Sequence, residues 1–253
     1  MKPFRIKRFA SCTSLFAIGL IISWLIPNIF ILSNLKKDNS IDLTDKSIFL
    51  NIMGSHCNYL SYNRIMVLYL LVFIFIMNYY SFSEKPAYVI RLQSRKEFIK
   101  KRLIDVVEFS LVLAFLIEII NIVFSFVYFG SELTIQSNLI LYSVFDFITE
   151  TIFYIRAGEI LLLAVILTNR RIAPFLTFAI YFLEYFAKDY LSFSGDLWLP
   201  YLDSVQVTKL IMKSVTPLNL SPIIIRGFAI NLALAIAAYS LFKRKDIISH
   251  EKK

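Results

Sequence analysis

Apolar residues along this 253-residue chain gather into long runs, and the polar stretches between them set the predicted elements. Six runs stand out, at 11–32, 65–82, 106–129, 139–167, 172–190 and 222–242. A helix crosses the hydrocarbon layer of a bilayer with about 20 predominantly apolar residues, and a run of that length is read as a span. None of the six alternates strictly between apolar and polar, as the strands of a membrane barrel do. The pattern therefore predicts an all-α polytopic membrane protein, with six transmembrane helices in a single transmembrane domain covering 1–253. The run 139–167 is too long for one untilted span, so a broken or re-entrant outer segment is expected before a full span near 154–167.

The polar island 83–105 lies between the second and third runs and carries seven Lys or Arg residues. Read as a helix with Pro86 in its first turn, where a missing N–H costs nothing, it sorts into two faces. Arg91, Arg95, Phe98 and Arg102 fall on one side, and Leu92, Ile99 and Leu103 on the other. This predicts an inner amphipathic helix lying along the membrane surface. Two roles fit it. It fixes orientation as a positive-inside loop, or its arginine stripe and Phe98 form the contact surface for a cytosolic partner.

Charge adds orientation to this scheme. With both termini in the cytosol, the inner segments hold 18 of the 27 Lys and Arg residues: Lys2, Arg5, Lys7 and Arg8 at the start, the island, the turn Asn169-Arg170-Arg171, and the tail from Lys243. That asymmetry is the positive-inside signature. The net charge of +9 follows these loops, so it argues for a lipid bilayer and against nucleic acid. Composition agrees, because 58% hydrophobic and 16% aromatic residues lie far outside the usage of soluble domains.

Little classical site chemistry is available. Cys12 and Cys57 fall on opposite sides of the predicted membrane, which argues against a disulfide, and only His56 and His250 could serve a histidine-based metal or catalytic site. The outer loop 33–63 contains Ser55-His56-Cys57, but neighbours in sequence point in different directions and no second histidine is near to act as base. No catalytic residues and no metal site are predicted.

The polar residues inside the runs are more informative. Ala114, Glu118, Asn121 and Ser125 recur at spacings of four, three and four, which puts them on one helical face. A carboxylate at mid-membrane is costly unless it faces protein or water, so Glu118 is expected to look inward, either bonding between helices or lining a path. Asp146, Thr149 and Glu150 share a face, and Arg156 and Glu159 are three apart and expected to pair. Glu118, Asn121, Asp146, Glu150, Arg156 and Glu159 are the candidate path lining. Glu184 and Lys188 are expected to satisfy each other, Trp24 to anchor the first span at the interface, and Ser221-Pro222 to start the last helix.

Taken together, the basic start, the inner segment RLQSRKEFIKKRLID, the NRR turn and the ending LFKRKDI resemble a six-span permease subunit of the ABC-2 exporter type, across nearly the whole chain. The resemblance implies a bacterial cytoplasmic membrane protein whose inner helix docks a separate ABC ATPase, a role that would fall here on Arg91, Arg95, Phe98 and Arg102. It also implies a second permease copy or related subunit. The start is short for the family's N-terminal contact helix. Within the outer segment 191–221, Trp198, Pro200 and Asp203 spell W-x-P-x-x-D, which resembles the signature of a group of bacterial membrane proteins and reads physically as an outer turn.

No G-x-x-x-x-G-K-[ST] occurs, so a chain that exports with ATP must borrow the nucleotide site: no cofactor is expected on this chain, and ATP on its partner. The leading expectation is a membrane subunit of an exporter for a peptide, antimicrobial or lipid-like molecule. A non-transporting immunity or accessory protein is the alternative. An intramembrane peptide-processing enzyme would have only the paired carboxylates Asp146 and Glu150 to draw on.

Overall fold

The structure, a computed structural model, describes residues 10–26, 68–82, 95–191 and 217–244. Among them are seven helices and no strand. They are α1 (Ala10–Ile26), α2 (Leu70–Phe82), α3 (Arg95–Phe129), α4 (Ser131–Gln136), α5 (Leu139–Leu167), α6 (Ala173–Leu191) and α7 (Pro217–Arg244). Two are long and apolar enough to cross a membrane, over Lys96–Phe129 and Leu220–Phe242. The apolar parts of α1, α2 and α6 are shorter, and α5 has the length but carries Asp146, Glu150, Arg156 and Glu159. The all-helical expectation holds, whereas the six runs do not all meet the length and apolarity that six spans would demand.

Two expected boundaries are absent. From Arg95 onward the island and the third run form one helix, and the helix start expected at Pro86 lies outside the described residues: α3 continues for 35 residues from Arg95 to Phe129, with neither Gly nor Pro to interrupt it. At about 1.5 Å per residue it is about 52 Å long, well beyond the hydrocarbon thickness of about 30 Å. Likewise the break expected in 139–167 is not there, because α5 is a continuous helix of 29 residues. Its length is resolved by its position: α5 packs against α2, α3, α6 and α7 and forms the axis of the bundle. Its middle, residues 149–162, is buried or half-buried among those neighbours, while Ile140, Leu141, Val144 and Leu167 towards its ends are exposed.

Local sequence explains the turns. Gly130, with φ of 85°, lets the chain leave α3, and its N–H still reaches the Phe126 carbonyl at 3.2 Å. The connection between the third and fourth runs is the short helix α4. Asn138 then takes the left-handed conformation at φ 57°, which asparagine tolerates better than other side chains. At the far end of α5, Thr168 bonds back to the Ala164 carbonyl through both its N–H (2.8 Å) and its hydroxyl (2.6 Å). The Asn169 side-chain oxygen accepts from the N–H groups of Arg171 and Ile172, both at 2.9 Å, and so starts α6. Pro222 lies inside α7, which begins at Pro217, so Ser221-Pro222 is not its start.

The main core runs between α1, α2, α3, α5 and α6. Val106, Phe109, Leu113, Ile117 and Ile120 of α3 recur at three or four residues and are all buried. Phe73 of α2 sits between Phe109 and Tyr154, with ring centroids 5.7 and 5.1 Å away. Pairs of this kind add about 0.5–1.5 kcal/mol beyond their buried area. Smaller clusters close the ends: Ile99, Leu162, Ile166 and Ala238 at one, Leu220 and Ile223 at the other. Outward faces are apolar, as Phe115, Val123, Phe182, Ile225 and Leu232 show.

Candidate functional site: a buried acidic core between α3 and α5

A close approach of α5 to α3 sets the site. Gly158 of α5 lies so near Val106 of α3 that a Cβ added there would be 2.6 Å from a valine methyl. The two helices run antiparallel, with Ile99 beside Leu162 and Ile166. Moving twelve residues along α3 and back twelve along α5 therefore brings Glu118 level with Asp146, about 18 Å from the close contact.

Two polar stripes meet at that level. On α3, Ser110, Glu118, Asn121 and Ser125 are buried, with exposures of 0–4%. On α5, Ser143, Asp146, Glu150 and Tyr154 repeat at three, four and four residues and are equally enclosed. Glu118, Asp146 and Glu150 lie within reach of one another's charge, and Tyr154 lies within reach of both glutamates. Ser143 sits beside Glu118, at a geometry that closes no hydrogen bond. Neither carboxylate oxygen of Glu118 or of Glu150 accepts a hydrogen bond, and the Ser110, Ser125, Ser143 and Tyr154 hydroxyls are equally without one. Buried polar groups are nearly always paired, so such a concentration of unpaired ones is a functional feature to be explained.

Neighbouring helices tie into the stripes. Trp24 Nε1 donates to Asn121 Oδ1 at 3.1 Å, and its ring lies against Phe124 and Tyr128. Trp24 is fully buried, so it anchors α1 to α3 and is not the interfacial residue expected. From α7, Asn231 Nδ2 donates to the Ile152 carbonyl of α5 at 3.0 Å.

The six residues expected to line a path separate into two groups. Glu118, Asn121, Asp146 and Glu150 come together. Arg156 and Glu159 lie farther along α5 and do not pair as expected: Arg156 Nε donates to the Tyr181 hydroxyl of α6 at 3.3 Å, its guanidinium 5.6 Å from the centre of the Phe153 ring. Glu159 is 4% exposed and its Oε2 accepts no hydrogen bond. Tyr154, Ser143 and Tyr181 were not foreseen. The spacing of Ser143 and Tyr154 from Asp146 and Glu150 carried the signal for the first two.

At the other end, the expected docking stripe is divided. Arg91 lies outside the described residues, and of Arg95 only the backbone is described. Arg102 is buried, not exposed: its Nη1 pairs with Asp105 Oδ2 at 3.3 Å, and its guanidinium lies 4.8 Å from the Phe98 ring centre. Phe98 in turn stacks on Phe242 of α7 at 5.3 Å. Asp105, three residues beyond Arg102, was the overlooked partner. Lys96, Glu97 and Lys100 are the exposed charged residues among those described in this segment. The turn Trp198, Pro200, Asp203, the cluster Ser55-His56-Cys57 and the side chain of Lys188 lie outside the described residues.

Among the described residues no group of His, Cys, Asp and Glu could hold a metal ion. No protein-family model, no curated protein and no solved structure matches this chain.

Proposed function

We propose that the chain is the membrane-spanning permease subunit of an ATP-driven exporter of the ABC type, with the acidic core of α3 and α5 on the substrate path and a separate ATPase docked on the basic end of α3. The observation that carries this reading is the continuity of α3. One uninterrupted helix joins exposed Lys96 and Lys100 to buried Glu118, about 33 Å away along its axis from Lys96. A motor held at the first is thus rigidly connected to the second.

Six membrane crossings with both termini in the cytosol belong to the same proposal, and two features support them. The helix ends gather at opposite poles of the bundle: Ile99, Leu162, Ile166 and Ala238 meet at one, and Leu220 and Ile223 meet Tyr142 and Phe145 at the other. Lys96, Lys100, Lys101, Arg170 and Arg171 belong to the first pole, whereas the connection 129–139 at the second has no Lys or Arg. The distribution of polarity, with carboxylates inside and large apolar side chains outside, suits lipid as the surrounding solvent. A second permease copy would complete the path.

The test is co-purification from gently solubilised membranes. The wild-type chain is expected to bring down an ATP-hydrolysing subunit, identified by mass spectrometry and by its ATPase activity, and Lys96→Glu with Lys100→Glu to release it while the permease stays monodisperse. Full retention of the ATPase by the double variant would remove the docking role, and absence of any ATPase from the wild-type preparation would remove the exporter reading.

A further inference from the structure

We infer that the acidic core is a binding subsite for a positively charged nitrogen of the exported molecule, a primary ammonium or a guanidinium group. This deepens the transport reading and rests on it for the word "exported", although binding itself does not.

The chemistry follows from counting donors and acceptors. Glu118 and Glu150 present four carboxylate oxygens, all buried and none accepting a hydrogen bond. The unpaired Ser143 and Tyr154 hydroxyls stand beside them and can accept as well as donate. Against these, the one unpaired group nearby that only donates is the Asn121 amide nitrogen, Nδ2. With its carboxylates ionised the site has a surplus of acceptors, and the ligand that completes it in that state brings donors. An ammonium brings three and a guanidinium five, with no acceptor of its own.

Charge points the same way. Glu118, Asp146 and Glu150 lie close enough that their charges repel one another whenever more than one is ionised, and among the described residues no cationic side chain is paired with any of the three. Arg156, the one arginine of α5, donates to the Tyr181 hydroxyl of α6. A cation among the three carboxylates removes their mutual repulsion and makes charge-assisted hydrogen bonds, which are about twice as strong as neutral ones. Among the described residues no group of His, Cys, Asp and Glu is placed to hold a metal ion, which favours an organic cation. The residues are 0–6% exposed, so a ligand enters only when α3 and α5 part. Occupancy is thereby linked to movement of α3.

The experiment uses the full chain in nanodiscs of phosphatidylcholine, with dansylcadaverine, a fluorescent primary amine, as probe. The comparison probes are its N-acetylated form, which has lost the charge, and its N-trimethylated form, which keeps the charge but has no N–H donors at that nitrogen. Wild-type protein is expected to bind the amine at least tenfold more tightly than either. Glu118→Gln with Glu150→Gln is expected to abolish that preference, since a charged hydrogen-bond partner lost from a buried site weakens binding by about ten- to a hundredfold. Equal binding of the three probes by the wild type overturns the inference, as does an undiminished preference in the double variant. Should the variant not fold, the wild-type comparison alone decides. A positive result without ATPase co-purification would leave the subsite standing and sink the exporter reading.

Discussion

Replacing Gly158 by alanine tests the contact that places every residue of the acidic core. The added Cβ would stand 2.6 and 3.2 Å from the two Val106 methyls, whereas carbon atoms in contact prefer about 3.5–4.0 Å. Val106 is fully buried and β-branched, and a β-branched residue in a helix has essentially one comfortable rotamer, so the methyls have nowhere to swing. The helices must separate by about 1 Å, and overpacking of this kind costs about 1–3 kcal/mol. At about 2–4 °C per kcal/mol for a chain of this size, the midpoint of thermal unfolding should fall by about 2–12 °C. The assay is loss of the monodisperse peak in size-exclusion chromatography after heating in detergent. Val106→Ala removes the methyls that clash, so the double variant should be more stable than the sum of the single effects predicts, by at least about 0.5 kcal/mol. A Gly158→Ala protein that melts with the wild type, or a double variant whose loss equals that sum, would refute the register and with it the pairing of Glu118 with Asp146.

Three further outcomes are expected. Trp24→Phe removes the 3.1 Å bond to Asn121 and should lower stability by about 1–3 kcal/mol in the same heating assay, with Trp24→Phe plus Asn121→Leu recovering part of it. Asp105→Ala removes the carboxylate that pairs with buried Arg102 at 3.3 Å and should cost about 3–5 kcal/mol, whereas replacing both by apolar residues, Arg102→Met with Asp105→Leu, should cost less than that single change. Asn231→Ala cuts the bond from α7 to the Ile152 carbonyl and should cost about 1 kcal/mol, seen as a lower melting midpoint.

What the sequence disclosed and what it concealed divide along a physical line. Periodicity within one helix was legible: Ala114, Glu118, Asn121 and Ser125 were grouped by spacing alone, and all four are buried on one face of α3. Asp146, Thr149 and Glu150 behaved alike. Choices between competing partners were not legible. Arg156 has Glu159 three residues away and yet bonds Tyr181, 25 residues on, because α6 brings a hydroxyl into the core at that level. Arg102 was assigned to an exposed stripe by its angle on the helix. It is buried because the C-terminal end of α7, with Phe242, covers that side. Trp24 was expected at the interface from composition, but Asn121 offers its indole N–H an acceptor inside the bundle. The expected break in α5 assumed that a long helix must cross a membrane alone, whereas α2, α3, α6 and α7 pack against it and bury its middle.

The tight contact between Gly158 and Val106 also makes a fulcrum. It sits about 15 Å from Lys96 and about 18 Å from Glu118 along a rod with no hinge, so tilting α3 about that point works as a see-saw with arms of nearly equal length. A sideways displacement of about 1 Å at the basic end becomes about 1.2 Å in the opposite sense at the carboxylates, by the same helical rise. Drawing the Lys96 end of α3 towards α5 would thus part the two helices at the carboxylates, and a bulkier residue at the pivot would seize the movement without touching either end.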